Sequence, residues 1–167
     1  MQDDTRQWDP RSFEPIGIIH TPFTDTTGMP IQPSGARGIR GTVEIFEEFK
    51  EGLSDIGGFS RLILIYAFHR CLSRQLTVTP FLDTTPRGVF ATRAPCRPNP
   101  IGFSIVRLIE AKETTLVIED VDILDCTPLL DLKPYVPAFD SYPDAPTGWL
   151  EQVAHGAESV RSDERFR

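Results

Sequence analysis

Short apolar segments at close intervals are the feature that most restricts the fold of this chain. The most apolar of them, at 61–69, is rich in β-branched residues, which is typical of a buried strand. Only the segment at 47–56 carries apolar residues at helical spacing. Short strands with so little helix predict an all-β barrel or sandwich with small helical additions. The predicted strands lie at 14–20, 42–46, 61–69, 75–79, 88–92, 103–112 and 115–123, and the last two form an antiparallel hairpin.

The composition allows one folded domain with polar ends. At 167 residues and 40% hydrophobic content, the chain has enough apolar surface for one core and no room for a second domain of ordinary size. Residues 1–13 are charged and lack apolar periodicity, so we expect a mobile tail. Residues 14–150 form the predicted domain, and residues 151–167 form a charged tail with weak helical character.

The charge and the cysteines exclude several classes of protein. A formal net charge of −7 argues against a general polyanion binder, because sequence-independent nucleic-acid affinity comes from Lys and Arg that neutralise phosphates. The chain has neither an apolar run of membrane-helix length nor a signal peptide, so we expect a cytoplasmic protein. Cys71, Cys96 and Cys126 are odd in number and far apart, which predicts neither a disulfide framework nor a metal site.

Three segments concentrate polar side chains between prolines, which is how a rigid binding loop is built. Proline fixes φ and restricts the preceding residue, so a loop that carries Arg93, Arg97 and Asn99 among three prolines has little freedom to lose on binding. Two guanidinium groups on such a loop suit an anionic or polar ligand, although a rigid turn with solvated arginines has the same composition. In a barrel, the segments can converge on one pocket. They are 30–33, 93–103 and 122–135.

The side chains of these segments leave several chemical uses open. Asp122, Asp125 and Asp131 could act as metal ligands, as acid or base groups, or as anchors for a ligand amine or ribose, but they could equally cap turns. Cys96 lies between two arginines that would lower the pKa of its thiol and make it a nucleophile, yet no His is near in sequence. Cys126 sits in a turn and fits the role of a small packing residue.

Long motifs in a fixed order resemble one known family. FATRAPCRPNPIGFS at 90–104 and DILDCTPLLDLKPY at 122–135 are similar to the TsaA-like (TrmO, YaeB) family. The amino-terminal half agrees, with IGIIHTP at 16–22, PIQP at 30–33 and FSRLILIYAFH at 59–69. The resemblance spans about residues 14–143, which is nearly all of the predicted domain.

The resemblance implies a small closed β-barrel, with one or two short helices and irregular loops, that binds S-adenosylmethionine and forms a homodimer. Members with an assigned role methylate N6 of threonylcarbamoyladenosine beside the anticodon, so it also implies a methyltransferase with tRNA as its partner. Arg93 would bind the cofactor carboxylate, and Phe103 would pack against the cofactor. Carried over by motif, the cofactor contacts are Pro30, Ile31, Gln32, His69, Arg70, Arg93, Phe103, Asp125, Cys126, Thr127 and Pro128.

The chemistry of the implied reaction adds hypotheses that do not come from the motifs. Methyl transfer from a sulfonium depends on in-line positioning, but the N6 proton of the acceptor must still leave. Tyr135, Asp131 or His69 could accept this proton. The substrate contacts would come from Arg97 or Lys133, which could pair with the carboxylate of the modified base, and from Asn99.

Three departures from the family pattern bear on the function. Cys126 stands where the family commonly has Gly, the residue that tolerates positive φ, and Arg61 replaces a common His. The chain also ends near the barrel, without the extra carboxy-terminal domain of the longer bacterial enzymes. These departures and the acidic balance keep open a cofactor-binding sensor that acts through a protein partner, or methylation of a small molecule or protein. A basic face would instead favour RNA, and its members would be Arg37, Arg40, Arg87, Arg93 and Arg97.

Overall fold

The computed structural model describes residues 13–166 and confirms the predicted all-β fold with a closed barrel. The strands are β1 (Gly17–His20), β2 (Arg40–Ile45), β3 (Arg61–Ala67), β4 (Thr77–Val78), β5 (Arg87–Gly88), β6 (Ile101–Lys112), β7 (Thr115–Glu119) and β8 (Thr127–Pro134). Six of them close into an antiparallel barrel in the order β1, β2, β7, β6, β3, β8. The two short strands β4 and β5 form a separate two-stranded sheet.

Strand β3 shows why the sequence folds this way. Every second residue, Leu62, Leu64 and Tyr66, points into the barrel and is buried, as the period of a strand requires. Its ladders run to β6 on one side and to β8 on the other, and the predicted hairpin of β6 and β7 is confirmed. The inward residues of all six strands and the segment after β7 form one apolar core, which contains Ile19, Val43, Ile45, Leu62, Leu64, Tyr66, Val106, Leu116, Ile118, Val121, Ile123 and Leu129.

The helical elements are short and differ from the prediction. The segment predicted as a helix at 47–56 forms two 3₁₀ helices, because Asp55 adopts a left-handed backbone (φ 66°) that interrupts it. The predicted strand at 88–92 becomes a 3₁₀ turn after β5. Within the described residues 13–166, one α-helix, α1, spans Pro137–Asp140. The 3₁₀ helices are Pro33–Gly35, Glu47–Leu53, Ile56–Gly58, Val89–Ala91, Gly148–Leu150, Ala154–Glu158 and Glu164–Phe166.

The third polar segment, 122–135, is not the loop that its prolines predict. Most of it forms β8, which pairs with β1 and β3 and closes the barrel. Pro128 and Pro134 occupy the second and last positions of the strand, where a missing N–H costs the ladder least. Between them Leu129 is fully buried in the core. Burial of this side chain therefore outweighs the local preference of the prolines for a loop.

The predicted absence of disulfides is wrong, because Cys71 and Cys96 are joined. They are 25 residues apart in sequence, but the β4–β5 excursion returns the chain and brings their Cα atoms to 5.5 Å. That separation lies within the normal range for a disulfide. The same bond removes Cys96 as a candidate nucleophile, since no free thiol remains at that position. Cys126 is free and exposed rather than a packing residue.

The structure bears on the predictions for the two ends of the chain to different extents. The amino-terminal tail prediction concerns residues 1–13, and residues 1–12 lie outside the described part of the chain. The carboxy-terminal segment, in contrast, folds back onto the domain. Arg161 forms an isolated β-bridge with Pro30, and Ser162 binds the backbone of Gly28 and Met29. Within residues 13–166, no helix has both the length and the apolar character needed to cross a bilayer.

Candidate active site

One large pocket opens where β3 ends and β6 begins, and it extends along these two strands as far as Arg61 and Tyr135. Its volume is about 1020 Å³, and its walls come from all three polar segments that the sequence analysis singled out. Phe103 and Ile101 of β6 face outward into it, while the intervening Gly102 faces the barrel interior. The predicted convergence of the three segments on one pocket is therefore confirmed.

The segment that begins at Pro30 is fixed against two other parts of the chain. Ser162 accepts a hydrogen bond from the Met29 N–H at 2.9 Å and donates to the Thr26 carbonyl at 2.6 Å. On the other side, Arg93 donates to Oε1 of Gln32 at 2.9 Å. These bonds hold the Gln32 amide at the pocket wall without requiring regular secondary structure.

Among residues 13–166, four arginines line the pocket, and one of them, Arg61, pairs with Asp120. The other three are Arg70, Arg93 and Arg97. Arg93 lies over the ring of Phe103 at 5.6 Å, and Arg97 donates to the Thr92 carbonyl at 3.1 Å. Among residues 13–166, none of the three forms an ion pair with a carboxylate. The pocket therefore keeps a net positive wall, in contrast to the acidic balance of the whole chain.

The other arginines proposed for a basic face form ion pairs, although Arg40 shares its carboxylate, Glu119, with Arg107. Arg37 pairs with Glu158, Arg40 with Glu119 and Arg87 with Asp83. These pairs lower the positive potential that the three side chains could offer to a phosphate backbone. In this single chain, the predicted basic face is thus reduced to the pocket side of the 93–97 loop.

A buried chain of hydrogen bonds leads from the barrel interior to the pocket wall. Ser104 donates to Oδ1 of Asp122 at 2.7 Å, and the Ser104 and Tyr66 hydroxyl oxygens are 3.0 Å apart. Burial is the main cause that raises the pKa of Asp122 to about 6, against the opposing effects of Ser104 and Arg93. Burial also raises the pKa of Tyr66. We call Tyr66, Ser104 and Asp122 the buried polar chain.

The residues carried over as cofactor contacts divide into two groups. Seven of the eleven line the pocket, and they come from five separate stretches of sequence. His69, Asp125, Cys126 and Pro128 do not line it. The seven pocket residues are Pro30, Ile31, Gln32, Arg70, Arg93, Phe103 and Thr127.

The four other residues border the same end of the barrel. His69 places Nδ1 at 3.5 Å from the Thr127 hydroxyl, and burial, followed by the nearby Arg70 charge, lowers the pKa of its imidazole. Asp125 accepts the Thr21 N–H at 3.0 Å, which lowers the pKa of its carboxyl. Pro128 belongs to β8 and pairs in register with β1. These contacts give His69, Asp125 and Pro128 a supporting position beside the pocket wall, whereas Cys126 is exposed.

Cys126 belongs to the one group of potential metal ligands found among residues 13–166. Its sulfur, a carboxylate oxygen of Asp125 and a ring nitrogen of His20 all lie within 4.8 Å of one another. The Cys126 thiol donates to Asp125 at 3.4 Å, and this hydrogen bond raises the pKa of the thiol. The geometry described is that of a turn closed by this thiol–carboxylate hydrogen bond.

The candidates for the proton acceptor and the substrate contacts are dispersed. Tyr135 and Arg97 line the pocket. Asp131 and Lys133 do not; they pair with each other at 2.6 Å. Asn99 is exposed outside the pocket wall, and its carbonyl accepts the Ile101 N–H.

Sequence reasoning missed the contribution of the carboxy-terminal segment to the pocket. Trp149, Leu150, Ala157 and Phe166 line it, and the Trp149 indole N–H donates to the Ala91 carbonyl at 2.8 Å. The signal was present as apolar residues spaced through an otherwise charged stretch. It also missed Ser104, whose hydroxyl is an isolated polar group in the apolar run that forms β6.

Comparisons with known proteins agree with this fold and pocket. The profile of the tRNA-methyltransferase O N-terminal domain matches residues 18–141. A probable S-adenosyl-L-methionine-binding protein of Pyrococcus abyssi is 57% identical over 154 residues, which cover 92% of this chain and 84% of that protein. The tRNA (adenine(37)-N6)-methyltransferase of Escherichia coli is 34% identical over 160 residues, which cover 90% of this chain and 68% of the enzyme.

A solved structure extends the agreement to three dimensions. The crystal structure of TrmO from Pseudomonas aeruginosa superposes with a TM-score of 0.70 and 41% sequence identity over 82% of this chain. The match spans 61% of the crystallised protein. With the family profile matched over most of the described barrel, the resemblance drawn from the motifs is confirmed. The chain belongs to the family of the tRNA-methyltransferase O N-terminal domain.

Proposed function

We propose that this chain is an S-adenosylmethionine-dependent methyltransferase whose acceptor is N6 of threonylcarbamoyladenosine beside a tRNA anticodon. The observation that carries the proposal is the convergence of seven motif residues from five stretches of sequence on one pocket. Its volume of about 1020 Å³ is at the upper end of the range for small-molecule sites, which leaves room for a cofactor and an acceptor base. The names of the relatives from Pyrococcus abyssi and Escherichia coli support the cofactor and the acceptor, respectively.

The pocket residues fit the chemical groups of the cofactor. A guanidinium such as that of Arg93 can bind a carboxylate through two parallel hydrogen bonds, and Gln32 fixes its orientation. Phe103 offers an apolar face beside that charge. When bound, the cofactor would supply an electrophilic methyl group, and the fixed side chains would contribute by orienting the acceptor towards it.

The acceptor assignment rests on charge as well as on the relatives. Threonylcarbamoyladenosine carries a carboxylate, and Arg97 presents a cation on the same pocket. Lys133 is paired with Asp131 in the single chain, so it would have to exchange partners to bind this carboxylate. We propose a homodimer, because a second copy could add positive side chains to the binding face for RNA. Such a role places the protein in the cytoplasm.

A second candidate function is a sensor that binds S-adenosylmethionine without methylating RNA. Ion pairs at Arg37, Arg40 and Arg87 favour it, because they weaken the basic surface that RNA would need. The net charge of −7 acts in the same direction. A methyltransferase for a small molecule or a protein lies between the two.

A methyl-transfer assay separates these functions. Labelled S-adenosylmethionine is incubated with the protein and with tRNA from cells that lack the gene, while calorimetry measures cofactor binding to the protein alone. Label in the threonylcarbamoyladenosine nucleoside supports the enzyme. Cofactor binding without label in any RNA overturns the tRNA assignment and favours the sensor or another acceptor.

The Arg93→Ala substitution tests the cofactor site directly. A hydrogen bond to a charged group contributes about 1.5–3 kcal/mol, so the Kd for S-adenosylmethionine should rise roughly 10- to 150-fold. Lys112→Ala is the matched control, because it removes an exposed cation at the far end of β6. Equal small effects of the two substitutions on the calorimetric Kd would contradict the proposed site.

A further inference from the structure

Asp122 is a pocket carboxylate to which the proposed site assigns no role. It follows β7, lines the pocket, and stays mostly shielded from solvent. Its Oδ1 accepts the Ser104 hydroxyl hydrogen at 2.7 Å. Because that hydroxyl has a single hydrogen, the Tyr66 hydroxyl must be the donor in its own contact with Ser104. The buried polar chain therefore runs in one direction, from Tyr66 through Ser104 to Asp122.

The fold fixes each member of this chain. Tyr66 and Ser104 lie on the neighbouring strands β3 and β6, and both side chains point into the barrel. The Tyr66 ring packs over Gly102, where any side chain would collide with the ring atoms. It also contacts Phe68 edge to face at 5.5 Å. The donors to Asp122 are thus held in place before any ligand binds.

We propose that Asp122 is the catalytic residue that accepts the proton of the acceptor nitrogen during methyl transfer, and that Ser104 and Tyr66 are positioning residues for it. The inference rests on the proposed methyltransferase function. In the step, the acceptor nitrogen forms the new N–C bond, and the S–C bond breaks with its electron pair left on sulfur. The N–H proton passes to the carboxylate of Asp122, which later releases it to solvent.

The electrostatics of the pocket suit this role. A general base works best when its pKa lies near the operating pH, and burial raises the pKa of Asp122 to about 6. The charged or titratable groups that act on it are Arg93 from the 93–97 loop and Tyr66 from β3. At neutral pH the carboxylate of Asp122 is ionised and can accept a proton. Its raised pKa lets it hold that proton until solvent removes it.

The other candidates in this part of the protein are less well placed. Asp131 is paired with Lys133 and, with His69, lies outside the pocket wall. Tyr135 lines the pocket but joins it next to Arg61, at the opposite end of β3 from Tyr66 and Asp122. Among residues 13–166, two carboxylates line the pocket. Asp163 is paired with Arg165, whereas Asp122 accepts the hydroxyl of Ser104, which the barrel holds in place.

The test combines a pH profile with cofactor binding, using the full chain. Wild-type single-turnover rates on tRNA should rise with pH and level off above an apparent pKa near 6. Asp122→Asn should lower the plateau rate about 10²- to 10⁴-fold, since a general base contributes that factor. It should also remove the rise of the rate with pH, which we call the rate limb. Its calorimetric Kd for S-adenosylmethionine should change less than threefold. Asp144→Asn, an exposed loop carboxylate, is the matched control.

Ser104→Ala tests the positioning role independently. The hydrogen bond from Ser104 lowers the pKa of Asp122, so its loss should move the rate limb to higher pH while leaving a measurable plateau. A carbon-13 NMR titration of the Asp122 carboxyl should show the same shift without turnover. This measurement also reports whether the variant remains folded.

The remaining outcomes overturn the inference in distinguishable ways. If the pH dependence of the rate is unchanged in Asp122→Asn, Asp122 is not the proton acceptor. The same holds if Asp131→Asn removes the rate limb instead. Either result would leave the proposed methyltransferase function intact. A large rise in the Kd for S-adenosylmethionine with a normal plateau would make Asp122 a ligand for the cofactor amine. A wild-type protein that labels no tRNA would overturn the proposed function and this role together.

Discussion

The barrel wall and the pocket rim are built by different physical means. The wall consists of six strands whose ladders surround a fully buried apolar core. The rim, which we define as residues 26–35, 68–100 and 142–166, has only the short β4–β5 sheet and several 3₁₀ turns. One disulfide, a small apolar cluster of Val78, Val89, Ala94 and Phe166, and single bonds between distant segments, such as that from Trp149 to Ala91, hold it together.

The difference separates stability from ligand binding. Regions with many buried apolar contacts open only with the whole domain, whereas segments with a smaller apolar cluster and few ladder hydrogen bonds open locally at lower free energy. The wall presents Phe103, Tyr66 and Ser104 on fixed strands and Asp122 on the segment that follows β7. The rim supplies Gln32 and the pocket arginines, so it can adjust around a ligand without disturbing the barrel.

Leu64→Ala should have the largest effect on the wall. This side chain is fully buried in the core, and such truncations cost about 2–5 kcal/mol of unfolding free energy through lost burial and a residual cavity. Chemical denaturation measures the loss. Leu72→Ala, which removes a side chain that is 93% exposed, should change it by less than about 0.5 kcal/mol. Similar losses in both variants would contradict the assignment of stability to the barrel core.

Replacing both cysteines of the disulfide should have the next largest effect, and on the rim. For a loop of 25 residues, the chain-entropy relation gives about 3.5 kcal/mol, within a usual range of about 2–4 kcal/mol. Cys71→Ser with Cys96→Ser should therefore speed hydrogen exchange in residues 68–100 more than in β3. Cys126→Ser is the control, because that thiol is free. Equal acceleration in wall and rim would show that the two regions unfold as one unit.

Trp149→Phe should have the smallest effect and should act on binding. It removes the indole donor to Ala91 and weakens the stacking of Arg87, which lies 5.5 Å from the ring. One hydrogen bond is worth about 0.5–1.5 kcal/mol, so the melting temperature should fall by a few degrees. The same substitution should raise the Kd for S-adenosylmethionine, because Trp149 lines the pocket. An unchanged Kd would show that the carboxy-terminal segment does not shape the occupied pocket.

The sequence predicted the wall better than the rim, and the reasons are physical. Strand β3 follows from the alternation of Leu62, Leu64 and Tyr66, which needs no information from distant residues. Strand β8 was not predicted, because Pro128 and Pro134 are typical of loops. The segment is a strand because it pairs with β1 and β3 and buries Leu129 in the core.

The rim depends on contacts that no local pattern encodes. The pairing of Cys71 with Cys96 requires the chain to return after 25 residues, and the position of the Pro30 segment requires Ser162 from the far end of the chain. For the site, the family motifs marked Arg93 and Phe103, and the structure places both on the pocket. The role of Ser104 could not be predicted from the sequence, because it depends on Tyr66 of the neighbouring strand β3.

Cys126 is a free, exposed thiol that can be labelled selectively. Its backbone keeps a left-handed φ of 58°, the geometry that a glycine would adopt more easily, so the turn is set by its neighbours and not by its own side chain. With Cys71 and Cys96 joined, a thiol-directed fluorophore would attach to this one position, next to Thr127 of the pocket. Because the pKa of the thiol is raised by Asp125, labelling requires alkaline buffer. The protein can thus carry a single optical reporter of ligand occupancy without an engineered cysteine.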